Sequence, residues 1–420
     1  MRRKLAANLL LLLMLPAILT GCWDRRELEE LAFVLMLGVD KGTQDRFNVT
    51  AAIAVPSRMA GGGKESGGAG GESPYLLTSV EGPTVLGALS LISGYVDRQL
   101  SLDHTMAVFL GEELAREGAL QAMDTLIRFR ESRRTTILVV TEGKAAEFLA
   151  QIKPELESNP QRYLEKISAN YQVTGLLPAT GQVQNFIAKV NTKYGNPVTF
   201  YAALKQEQNR ESRTDRQSES PFSVMAGDLP RTGGPNIEMM GSAAFKGDKM
   251  VGILSGEETR LLLMLTNWFE RGIFSVPDPR DPELDITLEI RKGRPARIQV
   301  DISGSRPRIS GRIRLEGHVL SMPVETDYTE PQFQAELESE FADFLEGEIS
   351  HLIQKTQKWE TDIFGFGHVA ARQFATIQDW ENYNWPKHYP EAEVDVSVEM
   401  TIRRFGRQLS PPTSFREKGD

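Results

Sequence analysis

Short apolar runs and amphipathic segments alternate along the first half of the chain. Runs rich in aliphatic and β-branched residues predict strands, at residues 33–39, 47–55, 75–80, 104–110 and 135–141. Apolar residues at helical spacing predict helices, at residues 84–96, 112–130, 144–152, 162–171 and 183–190. Strands that alternate with helices in this order are typical of a layered α/β arrangement.

The second half carries a different pattern, in which apolar and polar residues alternate one by one. This alternation predicts three half-exposed antiparallel strands at 285–291, 296–302 and 308–316, and a returning strand at 393–402. Helical spacing of apolar residues between them predicts a long helix through 333–353 and another over 368–378. The expected fold class is therefore mixed α/β and α+β. It combines an alternating strand-helix N-terminal domain with a C-terminal antiparallel sheet and long helices.

A hairpin and a capped helix stand between these halves. Residues 237–254 predict two strands joined by a two-residue Gly-Asp turn within Lys246–Lys249. Ser255, followed by two glutamates, predicts the N-cap of a helix over 256–270.

Proline, glycine and polar residues mark the expected boundaries. A proline cluster at 277–282 interrupts all regular structure, and residues 205–220 form a polar linker. We expect an N-terminal domain over 22–204 with a flexible glycine-rich loop at 61–71, a middle segment over 205–276, a C-terminal domain over 283–405 and a disordered tail over 406–420.

The first 21 residues have the features of a secretory signal peptide. Three basic residues precede an apolar run from Leu5 to Leu19, and Gly21 and Cys22 close it. As a helix this run of about 15 residues is roughly 22 Å long, which is short for a hydrocarbon core of ~30 Å. The ending Leu19-Thr20-Gly21-Cys22 resembles a bacterial lipobox, whose cysteine is lipidated. An ordinary secreted protein with an incidental cysteine is the alternative.

Composition limits the classes of molecule that this protein is expected to bind. Removal of residues 1–21 takes away three basic and no acidic residues, leaving 45 Lys and Arg against 57 Asp and Glu, a net charge near −12. A nucleic-acid partner normally requires a basic patch, so none is expected. The single cysteine has no intramolecular disulfide partner, which favours a modification site.

Signatures of catalysis are missing from the sequence. The five histidines, His104, His318, His351, His368 and His388, show no metal-ligand spacing, and no nucleophile elbow, Walker loop or dinucleotide fingerprint occurs. We therefore expect no catalytic residue, no cofactor and no metal. The aromatic residues between 380 and 389 are either a binding surface or core packing, and the second is favoured.

Three stretches carry a family resemblance. Gly21-Cys22 is followed directly by Trp23-Asp24-Arg25-Arg26-Glu27-Leu28, and an apolar strand then ends in Gly38-Val39-Asp40. Ala244–Lys249 and Asp362-Ile363-Phe364-Gly365-Phe366-Gly367 are later landmarks. The chain resembles the Ger(x)C lipoproteins, the C subunits of nutrient germinant receptors of spore-forming bacteria. The family usually has proline where this chain has Ile363, which loosens one turn.

The resemblance implies a non-enzymatic subunit of a membrane receptor complex in nutrient-triggered spore germination. It implies S-diacylglyceryl and N-acyl groups such as palmitate on Cys22, and integral-membrane A and B subunits as partners. The location would be the extracytoplasmic face of the spore inner membrane. Residues Trp23–Leu28 are either a membrane-proximal interaction face or a solvated first helical turn. The rival hypothesis is a lipid-anchored solute-binding or cell-wall hydrolytic lipoprotein.

Overall fold

The structure is a computed structural model that describes residues 3–4, 27–60, 73–153, 156–157, 159–192, 194–206, 224–322 and 326–406. The predicted loop 61–71, residues 207–220 of the linker and residues 407–420 of the tail lie outside the described residues. A search of the described part finds no helix that combines the length and the apolar character of a membrane span.

Nine strands form the first sheet. They are β1 (Leu31–Lys41), β2 (Phe47–Ala54), β3 (Tyr75–Gly82), β4 (Gln99–Ser101), β5 (Ala107–Gly111), β6 (Ile137–Thr141), β7 (Val198–Leu204), β8 (Ile237–Lys246) and β9 (Lys249–Leu254). Their order is β3-β2-β1-β5-β6-β7-β8-β9, and the short β4 pairs with the start of β1. The central strands β1, β5, β6 and β7 are parallel, whereas β2, β3, β8 and β9 pair antiparallel at the two sides.

Helices cover both faces of this sheet. They are α1 (Pro56–Ala60), α2 (Val85–Ser93), α3 (Glu112–Glu117), α4 (Leu120–Arg128), α5 (Ala145–Gln151), α6 (Pro160–Ala169), α7 (Tyr171–Thr174) and α8 (Val183–Asn191). One face packs on α2, α3, α4 and α8, and the other on α5 and α6. Burial on both faces explains why β5 and β6 are continuous apolar runs.

One prediction for this region was wrong in detail, and one buried strand was not predicted. The helix predicted over 112–130 is two helices, because Gly118 has a φ of 145° and the chain turns there. Asp248 of the β8–β9 turn stabilises the break, since its carbonyl oxygen accepts from Ala119 N at 2.9 Å and its Oδ2 from Leu120 N at 3.3 Å. Strand β7 was not predicted, although six of its seven residues are buried.

The second sheet has four strands in the order β10 (Arg271–Pro277), β11 (Asp285–Asp301), β12 (Arg308–Ser321) and β13 (Glu393–Arg404). Strands β10, β11 and β12 pair antiparallel, but β13 lies parallel to β12. The two strands predicted at 285–291 and 296–302 are one strand whose register shifts between Lys292 and Arg297. Gly293 and Pro295 fall in this shift, and proline cannot donate to a ladder hydrogen bond. Strand β10 was not predicted.

The remaining helices are α9 (Gly256–Leu265), α10 (Pro331–Lys358), α11 (Phe366–Ala371), α12 (Ile377–Tyr383) and α13 (Trp385–His388). The predicted cap of α9 is confirmed as a capping box, in which Ser255 and Glu258 exchange hydrogen bonds of 3.0 and 2.8 Å. Helix α9 ends at Leu265 instead of 270, because the chain reverses at Asn267, whose φ is 67°. The helix predicted over 368–378 is interrupted, and Thr376 caps a new helix, α12.

One hydrophobic core joins the two sheets. Helix α10 packs along β13, and its buried stripe meets α9 and the second sheet. Val198 of β7, Ala244 of β8 and Leu254 of β9 belong to this same cluster. The core is therefore continuous from β7, β8 and β9 of the first sheet into the second sheet.

Candidate functional site

A buried carboxylate holds the turn that lies between the two sheets. Asp362 Oδ1 accepts hydrogen bonds from the backbone N–H groups of residues 364–366 at 2.8–3.2 Å. Asp362 Oδ2 accepts from Gly367 N at 2.7 Å and from Trp385 Nε1 at 3.0 Å. Five donors thus satisfy a single carboxylate that is only 2% exposed. The turn is fixed by hydrogen bonds, and its Ile363 side chain is fully buried.

The same turn is bonded to the first half of the chain. The backbone oxygen of Asp362 accepts from Asn196 N at 2.7 Å, and Asn196 Oδ1 accepts from Gly247 N at 3.0 Å. Gly365 has a φ of 80°, a conformation that glycine adopts without strain. The backbone at Gly195 approaches so closely that a Cβ there would lie 3.2 Å from the Asp362 oxygen. These contacts place the turn firmly against the segment that leads into β7.

Burial changes the protonation of two groups here. Burial raises the pKa of Asp362 above its usual value, although the hydrogen bonds from Gly367, Trp385, Phe366 and Gly365 act in the opposite direction. Burial lowers the pKa of Lys189 on α8, and the charge of Asp362 opposes that shift. Lys189 Nζ makes one long hydrogen bond, 3.4 Å to the backbone oxygen of Asn196. Because an ammonium has three donors, two of them have no partner among the described residues.

A cleft of about 540 Å³ opens beside this turn, and we call it the junction cleft. Its walls come from three places: residues 178–180 with Lys189 and Val198, residues 262, 263 and 265–268 at the end of α9 with Ala296 and Ile298 of β11, and residues 363–366, 368 and 369 with Arg372. Most of these side chains are aliphatic or aromatic, and Trp268 is 47% exposed. The volume is in the range of small-molecule sites.

The ionisable side chains that line the junction cleft are all basic. Lys189, His368 and Arg372 line it, whereas no described lining residue carries a carboxylate. The His368 ring meets the edge of Tyr194 at 5.8 Å between centroids. The Arg372 side chain is exposed and has no hydrogen-bond or ion-pair partner in the described part of the chain. In an acidic protein, this is a local concentration of positive charge beside an apolar wall.

Arg260 fixes the position of the cleft wall. From within α9 it donates to the backbone oxygens of Thr174 at 2.7 Å and Ile273 at 2.8 Å. Its guanidinium also lies 4.7 Å from the centroid of the Phe274 ring. Arg260 therefore connects α9 to the end of α7 and to β10, and its burial lowers its pKa. The wall that α9 supplies is rigid because of these three contacts.

Of the site residues predicted from the sequence, only Glu27 and Leu28 are described, and neither lines the junction cleft. Cys22 and residues 23–26 fall outside the described residues. Glu27 is exposed, and a short 3₁₀ turn begins at Leu28, just before β1. The lipidation of Cys22 and the interaction face at Trp23–Leu28 stay predictions.

The histidines do not gather into one site. His104 meets Phe33, His318 and His351 each lie 3.7 Å from a glutamate, and His388 stacks on Tyr383 at 4.2 Å. Among the described residues no group of three His, Cys, Asp or Glu is placed to hold a metal ion. Of the aromatic residues at 380–389, Trp380, Trp385 and Tyr389 are at most 3% exposed, so the core-packing interpretation is confirmed for them.

The sequence did not reveal the junction cleft. Asp362 begins a segment that the sequence marks only by resemblance, and the local signal for its role is that two glycines follow the aspartate within five residues. Lys189 ends an ordinary amphipathic helix, and nothing in its neighbours marks it. The cleft forms from separate segments spread between residues 178 and 372, so no local pattern in the sequence indicates it.

Relatives in spore-forming bacteria share the length of the chain. It is 27% identical over 416 residues to Spore germination protein KC of Bacillus subtilis (strain 168), with 98% of each chain covered. It is 20% identical over 397 residues to Spore germination protein GerQC of Bacillus cereus, covering 94% of this chain and 98% of that one. The crystal structure of the GerBC protein matches 87% of this chain and 96% of its own, with 16% identity and a TM-score of 0.50. That match confirms the predicted mixed α/β fold class.

Two family models match successive parts of the chain. Residues 24–204 match the spore germination protein N-terminal domain, and residues 240–406 match the spore germination B3/GerAC-like C-terminal domain. Together the two models cover most of the chain, which belongs to the Ger(x)C family of spore germination proteins.

Proposed function

We propose that this protein is a lipid-anchored, non-enzymatic subunit of a membrane germinant receptor complex, acting in nutrient-triggered spore germination. The observation that carries the proposal is the position of Cys22, the single cysteine of the chain. It follows Gly21 at the close of the apolar run and stands two residues before the match to the N-terminal family model begins. Acyl chains on this cysteine would supply the membrane attachment, since two or more chains make a durable anchor.

The distance between the anchor and the folded body supports this role. Strand β1 begins at Leu31, so eight residues lie between it and Cys22. Fully extended, the nine Cα–Cα steps from Cys22 to Leu31 would span at most about 30 Å, and the 3₁₀ turn at Leu28–Glu30 shortens that reach. An anchored protein would stay within this distance of the bilayer, and such confinement raises its effective concentration toward membrane partners. We propose integral-membrane A and B subunits as those partners and the extracytoplasmic face of the spore inner membrane as the location.

The charged segment after the anchor fits the same arrangement. Trp23 is amphipathic and suited to the lipid interface, and Asp24–Leu28 would follow it at head-group level. Glu27 is exposed at the start of the described body. We propose this segment as a membrane-proximal contact.

Replacement of the anchor cysteine tests the proposal. Cys22→Ala is expected to move the protein from the membrane fraction to the soluble fraction and to impair nutrient-triggered germination. Thr20→Ala is the matched control, because it alters the same stretch but keeps Gly21 and Cys22, and it should stay in the membrane fraction. Membrane retention of Cys22→Ala would overturn the anchor. Release of a folded protein with normal germination would overturn the receptor role and return attention to a solute-binding or hydrolytic lipoprotein.

A further inference from the structure

We propose that the junction cleft binds a small organic monoanion with an apolar body, such as a carboxylate on an aryl-alkyl chain. The proposal concerns the cleft itself and does not depend on the anchor at Cys22. It is carried by the placement of Lys189, Arg372 and an apolar wall around one space of about 540 Å³.

The ammonium of Lys189 has fewer hydrogen-bond acceptors among the described residues than it has donors. Asp362, the nearby buried carboxylate, has all its hydrogen bonds taken by Trp385 and four backbone N–H groups. No ion pair within 4.0 Å joins Lys189 to Asp362 in the described structure, and the bond to Asn196 is 3.4 Å long. A half-buried ammonium with unfilled donors beside an apolar wall is a group that a bound anion would satisfy.

Arg372 adds a second donor at the exposed side of the same space. Its guanidinium offers a planar fork that matches a carboxylate. Lys189 has the carboxyl group of Asp362 nearby, whereas Arg372 has no acidic partner in the described part of the chain, so Arg372 brings an unpaired positive charge to the cleft. One negative charge on the ligand would neutralise it.

The apolar wall determines the rest of the ligand. Leu262, Leu263 and Phe366 are buried at the wall, and Trp268 and Val369 are partly exposed at it. An aryl or alkyl group laid against these side chains would lose water contact. No described lining residue has a carboxylate to receive an ammonium, so a zwitterionic amino acid should fit less well than a simple carboxylate.

Three ligands with one carbon skeleton test this chemistry. Calorimetry on the full chain in detergent micelles would compare 3-phenylpropionate with 3-phenylpropanol, which is neutral, and phenylalanine, which adds an ammonium. We expect 3-phenylpropionate to bind with a dissociation constant of about 1 mM or tighter. The other two should bind at least about tenfold more weakly, and empty micelles supply the blank. Equal binding of the acid and the alcohol, or no binding of the acid, would contradict the proposal.

Variants locate the site. Lys189→Met and Arg372→Gln should each weaken 3-phenylpropionate binding about tenfold or more, and Lys189→Arg should restore part of it. Lys166→Met, an exposed lysine of α6 paired with Glu157, is the matched control and should bind normally. Arg372 is exposed, so its variant tests the site even if Lys189→Met folds poorly.

A tryptophan signal gives an independent readout. Quenching of Trp268 fluorescence by 3-phenylpropionate should disappear in Trp268→Phe. Unchanged affinity in both charge variants would overturn the proposal. None of these changes should alter membrane retention, so failure here is distinguishable from failure at Cys22.

Discussion

Two turns of this molecule are held by a carboxylate that collects backbone N–H groups, yet the two carboxylates differ in pKa. Glu81 of β3 accepts from the backbone of residues 43–45 at 2.7–3.0 Å and from Thr43 Oγ1 at 2.8 Å. These bonds lower the pKa of Glu81 to about 2. Asp362 accepts five comparable bonds, but its pKa is raised. The difference is burial, because Glu81 faces solvent and Asp362 does not.

The comparison shows that the number of donors does not decide the charge state of a carboxylate. Hydrogen bonds to the ionised form lower a pKa, and desolvation raises it. At Glu81 the first effect is dominant, and the turn is stabilised by a charge that water also stabilises. At Asp362 desolvation is the larger effect. Its five donors therefore stabilise the conformation of the turn more than they stabilise the ionised form of the carboxyl group.

The largest effect is expected from removal of the buried carboxylate. Asp362→Ala should lower the free energy of unfolding by about 3–5 kcal/mol, because it leaves buried N–H groups without an acceptor. Urea unfolding followed by tryptophan fluorescence measures this. Glu360→Gln is the matched control, since Glu360 is two residues away, exposed and paired with Lys246. A loss in Asp362→Ala no greater than in the control would show that the turn does not depend on its carboxylate.

A smaller effect is expected at Asp40, a buried carboxylate with fewer donors. It accepts from Ala145 N at 2.7 Å and Ala146 N at 3.0 Å, the first residues of α5. Asp40→Ala should cost about 1–3 kcal/mol of unfolding free energy, and Asp40→Asn less, because the amide keeps one acceptor oxygen. Equal losses in the two variants would indicate that the space filled by the side chain matters more than its bonds.

The smallest effect is expected at Glu81. Its contribution to stability changes with pH in the direction opposite to that of Asp362. Its folded pKa of about 2 lies below the ordinary 4.5, so its contribution is present above pH 4.5 and is lost as the pH falls toward 2. Glu81→Gln should therefore flatten the acid side of the stability profile. For Asp362 the folded pKa is raised from 3.8. The stability that it contributes is therefore full below pH 3.8 and declines as the pH rises from there through the raised pKa of the folded state.

Unfolding midpoints of Glu81→Gln and Asp362→Asn, measured between about pH 2 and pH 6, test this contrast. The difference from the parent protein should change with pH in opposite directions for the two variants. Parallel changes would mean that burial does not separate the two turns as proposed.

Periodicity predicted most of the elements because each strong pattern coincides with burial. The continuous apolar run of β6 and the alternation of β13 gave the right structure for this reason. The errors occur where a distant contact decides. Helices α3 and α4 separate at Gly118, where Asp248 supplies the bond, and β13 is parallel because an intervening helical region returns the chain.

The candidate site was less predictable than the fold. The lipobox is a contiguous signal, so Cys22 is visible in one line of sequence. Lys189, Trp268 and Arg372 are brought together only by the packing of α9 and the 362–367 turn. The like charge of Lys189 and Arg372, and the apolar wall to which Trp268 belongs, are properties of three-dimensional placement, which residue spacing does not encode.

The pairing of β7 with β8 constrains the evolution of this family. Strand β7 falls in the segment matched by the first family model and β8 in the segment matched mostly by the second, yet they are neighbours in a single sheet. A recombination event that exchanged one segment between paralogous genes would have to preserve this seam of main-chain bonds. The two segments should therefore evolve together. In chimaeras of two paralogues joined between residues 204 and 240, β7 of one protein would have to pair with a β8 that comes mostly from the other.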